Sequence, residues 1–460
     1  MKIKNLRWWI VVLIFFAAVL NYVDRQTLSA LAPTIQKDLD MNDQDYANVV
    51  NIFLVAYTIA YLFSGRIADK MGTRKGMFVF VAWWSIANAF TAAANSIASL
   101  SAYRFALGLG EAGIWPAASK AVADWFPKKE RAFAIGFYTM GATIGAAIAP
   151  YFVIPLATYN YASYLPAVAD WLGRGTGWRL AFILTGIAGL LWLIPWLMVY
   201  RQPEKSKLLT DEEFQLIKED AELDDPADSA RENTWSWKQV LLFKGTWLLL
   251  IGRLVTDPVW YFYQFWFPKY LSSDRHLSQE QLKITWVIYV AAGVGSLFGG
   301  WLSGHFIKKG IAPVKSRLWV MLGCACIMPL SPFISQATGL NMVMTITVCT
   351  VIASLAWMIN TSSLILDVVP KHSLGSVFSI VAAGSTIGGI IMNTIVASMV
   401  SGPSSKSSGF LDKGLHALLS PVLDAVQGQG YAWWFIIMAF LHPVGWLILK
   451  LGGIQKLSKN

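Results

Sequence analysis

The sequence predicts an all-α polytopic membrane protein of twelve transmembrane helices, arranged as two six-helix bundles with both termini cytoplasmic. The first observation is composition. The chain has 460 residues, of which 55% are hydrophobic and only 14% charged, against about 25% charged in an ordinary soluble domain. The second is that apolar stretches able to cross about 30 Å of hydrocarbon recur along the chain, with one polar gap in the middle. The third is an internal repeat. A shift of 243 positions places Asp124-x-x-Pro127 on Asp367-x-x-Pro370, and Gly141-Ala142-Thr143-Ile144-Gly145 on Gly384-Ser385-Thr386-Ile387-Gly388. Two matches in one register indicate duplication of a six-helix unit, a common plan in transporters. A closed β-barrel would instead show short alternating segments.

Helices are expected at 8–32, 45–66, 76–95, 98–120, 131–156, 178–200, 244–271, 281–306, 314–335, 340–367, 374–400 and 431–452. The domains follow as an N-terminal bundle over 1–200, a cytoplasmic linker over 201–243 and a C-terminal bundle over 244–460. The linker contains Leu208-Leu209-Thr210-Asp211-Glu212-Glu213, a capping-type helix start, and reads as a surface connection. Lys2, Lys4 and Arg7 ahead of the first apolar run resemble a secretory signal. No small-residue cleavage site follows, so the run is expected to be kept as the first helix. The loops 157–177 and 401–430 are expected outside, in equivalent places of the two halves.

The formal net charge of +10 suggests nucleic acid at first sight, but its distribution says otherwise. Roughly 26 of the 37 Lys and Arg fall on one side of the membrane and about 8 on the other. That bias orients the chain and leaves no role for nucleic acid. Cys324, Cys326 and Cys349 lie in apolar helices and carry no metal or disulfide pattern. The 22 tryptophans suit interfacial belts.

Four ionisable residues sit where hydrocarbon is expected: Asp24 and Arg25 at the end of the first run, and Arg104 and Glu111 inside the fourth. A charge near the bilayer centre costs at least about 2.5–3.5 kcal/mol, so such groups face a watery cavity or one another. Two acids with two arginines suggest an anion path with proton-binding groups beside it; structural ion pairing between helices is the competing reading. Arg104 and Glu111 are seven residues apart, about 10.5 Å along one helix face, with Gly108 between them. Arginine is suited to a carboxylate because its planar fork donates two parallel hydrogen bonds. Arg104 is therefore expected as the main ligand of a substrate carboxylate, and Arg25 as a second clamp or the counter-ion of an acid. Asp24 and Glu111 are the proton-carrier candidates.

Gly65-Arg66-Ile67-Ala68-Asp69-Lys70-Met71-Gly72-Thr73-Arg74-Lys75 joins the second and third helices. It resembles the G-x-x-x-D-[RK]-x-G-[RT]-[RK]-[RK] loop of the major facilitator superfamily. Its second-half equivalent, Gly300-Trp301-Leu302-Ser303-Gly304-His305, lacks the acid, so a latch at this loop is expected on one side only. Three further segments are similar to the anion:cation symporter family, and most of all to its bacterial hexuronate and aldonate permeases. They are Asn21-Tyr22-Val23-Asp24-Arg25, Arg104-x-x-x-Gly108-x-x-Glu111-Ala112-x-x-x-Pro116-Ala117, and Trp125-Phe126-Pro127-x-x-Glu130-Arg131. Asp257-Pro258-Val259-Trp260-Tyr261 through Trp266-x-Pro268 is similar to the hexuronate branch.

The resemblance implies proton coupling at Asp24 and Glu111 and substrate binding at Arg25, Tyr57 and Arg104. Tyr22, Tyr261, Gln264, Asn360, Ser363 and Asn393 are further candidates for a polyhydroxylated acid, each weighed against plain helix packing. Asp69, Arg74, Asp124, Arg131 and Asp367 are expected to gate, and Arg253 with Asp257 to form an intrahelical pair. His305, His372, His416 and His442 are expected to be peripheral. Gly108-Leu109-Gly110-Glu111-Ala112-Gly113 fits a dinucleotide-binding pattern but lies in an apolar helix without a preceding strand. No enzyme, cofactor or metal is expected.

The expected function is proton-coupled import of a hexuronate such as glucuronate or galacturonate by a monomer in a bacterial inner membrane. The alternatives are an aldonate or other small organic anion on the same mechanism, an uncoupled facilitator or exchanger, and a transporter-like sensor of sugar acids.

Overall fold

The computed structural model describes residues 2–159, 163–164, 166–167, 170, 177–222, 237–369, 374–401 and 410–454. Its regular structure among them is helical throughout. In chain order the principal helices are α1 (Leu6–Ala30), α2 (Asp43–Met71), α3 (Thr73–Thr91), α4 (Ile97–Glu111), α5 (Ile114–Trp125), α6 (Lys128–Thr158) and α7 (Trp178–Val199). The linker helix α8 (Asp211–Glu222) follows. The second half holds α9 (Lys244–Thr256), α10 (Pro258–Phe265), α11 (Phe267–Ser273), α12 (Trp286–Lys308), α13 (Pro313–Ile327), α14 (Leu340–Val368), α15 (Leu374–Val400), α16 (Phe410–Val426) and α17 (Tyr431–Leu451).

Eight helices among the described residues are long and apolar enough to cross a membrane. Two further stretches expected to span as single helices are interrupted instead, and proline supplies the reason. Pro116 has no N–H to offer the carbonyl of Ala112, and the helix parts between α4 and α5 at Ala112–Gly113. Pro258 and Pro268 likewise divide the expected helix 244–271 into α9, α10 and α11. Broken helices carry unpaired backbone groups, which a membrane protein tolerates only inside protein or beside a cavity. Within the expected outer loop 401–430, the structure places the 17-residue helix α16.

The chain divides into two compact units, Met1–Leu31 with Val55–Asn233, and Ala32–Leu54 with Thr234–Asn460. Each is held by the same packing device. In the first, a Cβ at Gly141 or Gly145 of α6 would lie 2.5 Å from the Phe15 carbonyl oxygen or 2.3 Å from that of Val19 in α1. In the second, a Cβ at Gly384 or Gly388 of α15 would lie 2.8 or 2.3 Å from the carbonyl oxygens of Leu250 and Leu254 in α9. The repeated Gly-x-x-x-Gly thus lets backbones approach closely twice, in the same register.

A second correspondence lies at the helix ends. Asp124 accepts hydrogen bonds from Thr73 (2.9 Å) and Tyr200 (3.2 Å), placing a carboxylate at the amino end of α3, where the helix dipole favours it. Its repeat mate Asp367 accepts from Arg317 (3.3 Å) near the amino end of α13. Arg317 also donates to the Ser303 hydroxyl at 2.6 Å. At the second-half loop that lacks the acid, Ser303 and Asp367 hold the basic group. In the first, Arg74 donates to the Leu197 carbonyl. The side chains of Asp69 and Arg131 lie outside those described.

The linker is more than a surface connection. Glu213 of α8 accepts from the backbone N–H groups of Leu6 (2.9 Å) and Arg7 (3.2 Å) and from the Arg7 guanidinium (2.8 Å). Asn5 makes no side-chain cap for α1, so a residue two hundred positions away satisfies the helix start. Arg7 also pairs with Glu130 at 3.1 Å. His442, expected at the periphery, is fully buried against the Trp357 ring, 5.0 Å between centroids.

Two outcomes follow from this packing. Glu213→Ala leaves the two helix-start donors without their acceptor and Arg7 with Glu130 alone, and should destabilise the protein by about 1–3 kcal/mol. Thermal unfolding in detergent should show a lower midpoint, whereas Lys2→Ala, at the exposed pair with Asp211, should leave it unchanged. Gly145→Val, forcing side-chain atoms onto the Val19 carbonyl, should abolish a monodisperse product in size-exclusion chromatography.

Candidate functional site

Helix α4 begins with a Ser96–Ser99 capping box and ends at Glu111, one residue before the proline-induced break. The terminal turn of α4 therefore presents Glu111 toward α1. Gly110 and Gly113 beside it allow this approach: a Cβ at Gly110 would fall 2.8 Å from the Trp84 backbone nitrogen, and one at Gly113 would lie 2.2 Å from the Phe80 ring. The glycines of the nucleotide-like pattern thus serve helix packing.

Glu111 is fully buried, and its Oε2 accepts two hydrogen bonds from Arg25, 2.9 Å from Nε and 2.7 Å from Nη2. The same guanidinium lies 4.8 Å from the centres of the Tyr22 and Tyr57 rings. Two aromatic faces therefore hold a cation whose edge meets a carboxylate. The rings stabilise the cation through their negative faces and fix its plane. Trp115 of α5 donates to the Tyr57 hydroxyl at 3.0 Å and sets the orientation of that ring. Trp115 was absent from the sequence candidates. Its only signal was an aromatic residue four positions after Glu111, next to the proline.

Asp24, also fully buried, is turned another way from its neighbour Arg25. Its Oδ1 accepts from Asn88 Nδ2 of α3 at 2.6 Å, and Asn88 Nδ2 also reaches the Thr185 hydroxyl of α7 at 2.8 Å. Glu111 and Arg104 are the charged groups whose fields act on Asp24. Arg104 is only 2% exposed, with its guanidinium 4.9 Å from the centre of the Phe182 ring. The sequence put Arg104 foremost; in this structure Arg25 has the assembled aromatic and carboxylate surroundings. The first unit therefore brings Tyr22, Asp24, Arg25, Tyr57, Arg104 and Glu111 into one polar centre.

The candidates in the second unit are dispersed among packing contacts. Asn393 accepts from the Trp266 indole at 2.8 Å and donates to Asn51 at 2.9 Å. Asn360 donates to the carbonyls of Gly299 (3.0 Å) and Ala356 (2.8 Å), and Ser363 to that of Ile359 (2.9 Å). Tyr261 stacks on Phe265 with centroids 6.0 Å apart and lies against Gly389. Gln264 is buried at the end of α10. Arg253 and Asp257 form the expected intrahelical pair at 2.7 Å.

Membrane-crossing helices around a buried charged centre are an arrangement that suits a membrane transporter, and the family match makes the protein a transporter and not an enzyme. The chain belongs to the Major Facilitator Superfamily, whose family model matches residues 14–393. Among relatives, it is 31% identical over 325 residues to a galacturonate transporter of Dickeya chrysanthemi, covering 70% of this chain and 89% of that protein. It is 31% identical over 322 residues to the hexuronate transporter of Escherichia coli K12, covering 70% of each. A D-galactonate transporter of Escherichia coli O6:H1 is 28% identical over 410 residues, 86% of this chain and 90% of that protein.

The fold is also that of a bacterial homologue of the human lysosomal transporter Spinster in an inward-facing, occupied conformation. That similarity has a TM-score of 0.70 at 19% identity, over 100% of this chain and 98% of the other. A D-xylose–proton symporter matches with a TM-score of 0.66 at 15% identity, over 96% and 97% of the two chains.

Because Arg25 is buried beside it, Glu111→Ala should destabilise the fold by about 3–5 kcal/mol, the usual result of removing one partner of a buried pair. Glu111→Gln retains an acceptor and should fall well short of that loss in detergent unfolding measurements.

Proposed function

We propose that the protein imports a hexuronate, such as glucuronate or galacturonate, together with protons by alternating access. The observation that carries this reading is the Arg25 guanidinium, held between Tyr22 and Tyr57 and already engaged by the Glu111 carboxylate. Glu111 occupies on Arg25 the position that a substrate carboxylate requires. A uronate competing for the same fork would release Glu111 into surroundings poor in water, where the neutral acid is favoured over an unpaired anion. Substrate and proton binding would then promote one another, because each removes the partner that opposes the other.

Arg25 is the first substrate ligand in this scheme, with Arg104 as the second cation and Tyr22 and Tyr57 stacking on the sugar or bonding its hydroxyls. Tyr261, Gln264, Asn360, Ser363 and Asn393 are the second-half contributors, available when their present packing contacts exchange. Asp24 and Glu111 carry protons. Asp69, Arg74, Asp124, Arg131 and Asp367 act at the cytoplasmic ends as gating residues. Twelve spans in two six-helix bundles joined by the linker, cytoplasmic termini, a bacterial inner membrane and a monomer complete the proposal. The Lys and Arg bias supports this orientation. The hexuronate assignment draws on the galacturonate and hexuronate transporters named above; the galactonate transporter makes an aldonate the alternative substrate.

Purified protein in proteoliposomes should accumulate labelled glucuronate only under an inward proton gradient. Arg25→Ala and Arg104→Ala should each weaken binding by about 2–5 kcal/mol, the range for loss of a buried charge partner. Glu111→Gln should lose gradient-driven accumulation and retain counterflow. Equal flux with and without the gradient would make the protein a facilitator, and transport of galactonate but not glucuronate would move the substrate to the aldonates.

A further inference from the structure

Asp24 and Arg25 are adjacent in sequence yet have different surroundings. Arg25 meets Glu111 and two tyrosines. Asp24 faces α3 and α7, where among the described residues the groups around it are neutral: Trp84, Asn88 and Thr185. The charged groups that bear on it are Glu111 and Arg104 of α4, with Arg25 next to it on α1. Asn21 and Ser85, one turn away on α1 and α3, are also fully buried. Ser85 lies where α7 has Gly189, whose Cβ position would be 2.0 Å from the Ser85 hydroxyl and 3.8 Å from Trp84 Nε1.

This region is unusually rich in unfilled hydrogen-bonding capacity. Asp24 Oδ2, Asn88 Oδ1, both side-chain polar atoms of Asn21, Ser85 Oγ and Trp84 Nε1 are buried without a partner at full hydrogen-bond geometry within the protein, the Trp84 indole being near Asp24. A buried polar atom without a partner is strongly disfavoured. The set mixes donors (Trp84, Asn21) with acceptors (Asp24, Asn88), and the indole N–H would repel a cation. Water, which donates and accepts, satisfies such a mixture.

We propose that Asn88 and Thr185 are positioning residues for the coupling proton: with Asn21, Trp84 and Ser85 they form a hydrated polar cluster between α1, α3 and α7 that accommodates Asp24 both ionised and protonated. The assignment rests on the reading of Asp24 as a proton carrier. The ionised carboxylate accepts from Asn88 Nδ2, as the structure has it. On taking a proton, the carboxyl gains an O–H donor, which Asn88 meets by turning its amide oxygen toward it. The Thr185 hydroxyl accepts from Asn88 Nδ2 in the orientation the structure has and so favours the amide that donates to the ionised carboxylate; in the turned orientation it can donate to Asn88 Oδ1. On release the proton leaves the carboxyl through the water and the amide returns. The side chain of Asp24 need not move, so its proton can be held apart from the Arg25 fork on which substrate and Glu111 compete.

The test uses the full-length protein in proteoliposomes, with Asn88→Leu, Thr185→Val and Thr185→Ser beside the wild type. Hydrogen bonds donated to a carboxylate favour its ionised form, so their loss lets Asp24 take its proton at higher pH. The pH of half-maximal glucuronate uptake should rise by about one unit in Asn88→Leu and in the same direction, by less, in Thr185→Val. Thr185→Ser, which keeps the hydroxyl, should give the wild-type profile, and counterflow should persist in all three. The Thr185 pair carries the test by itself if Asn88→Leu does not fold. Superimposable profiles in Thr185→Val and the wild type would overturn the assignment, as would an equal shift in Thr185→Ser. If the wild type shows no gradient-driven accumulation, the symport reading fails. The pH dependence of glucuronate binding, measured in the same variants, then decides the positioning role by the same comparison.

Discussion

The organisation of the first unit depends on a buried ion pair that an apolar bundle cannot leave half-made. Arg25 and Glu111 come from different helices, and Glu111 is wholly removed from solvent. In such surroundings either charge alone is costly, while the pair is tolerated through short hydrogen bonds and good geometry. Much of the local structure provides that geometry. Pro116 ends α4 just beyond Glu111, Gly110 and Gly113 bring the helix onto α3, and Tyr22 and Tyr57 fix the plane of the guanidinium.

Around this centre, the two halves share a framework but not its chemistry. Glycine-to-carbonyl contacts recur between α1 and α6 and between α9 and α15, and an aspartate meets the start of α3 and of α13. The first half adds two acids and two arginines at its buried centre, whereas the second keeps the Arg253–Asp257 pair within its own chain segment. The repeated glycine framework thus carries different charged groups in its two halves.

The long-range cap on α1 shows how the linker joins this framework. Glu213 provides acceptors for the Leu6 and Arg7 N–H groups, while Arg7 bridges Glu213 to Glu130 at the start of α6. The first described part of the linker is thereby fastened to the helix that carries Asp24 and Arg25. Nothing in the local sequence of α8 announces this, because its acidic first turn reads equally well as a cap for its own helix.

What the sequence by itself determined is the class of fold, the repeat and the identity of the charged residues. These follow from local signals: apolar length sets the helices, a fixed spacing reveals the repeat, and charge inside hydrocarbon is rare enough to mark candidate site residues. Proline and glycine positions were equally visible, although the breaks at Ala112 and Asp257 were read through as continuous helix. Tertiary structure alone decided the pairing. Arg25, not Arg104, received Glu111, Asp24 turned to Asn88 and Thr185, and Asn393 became the partner of Trp266 and Asn51. Helical periodicity gives the direction of a side chain relative to its own axis, but which neighbour stands there depends on how helices distant in sequence are rotated and packed. That rotation is fixed by the sum of many contacts over the whole bundle, and no single stretch of the chain contains it.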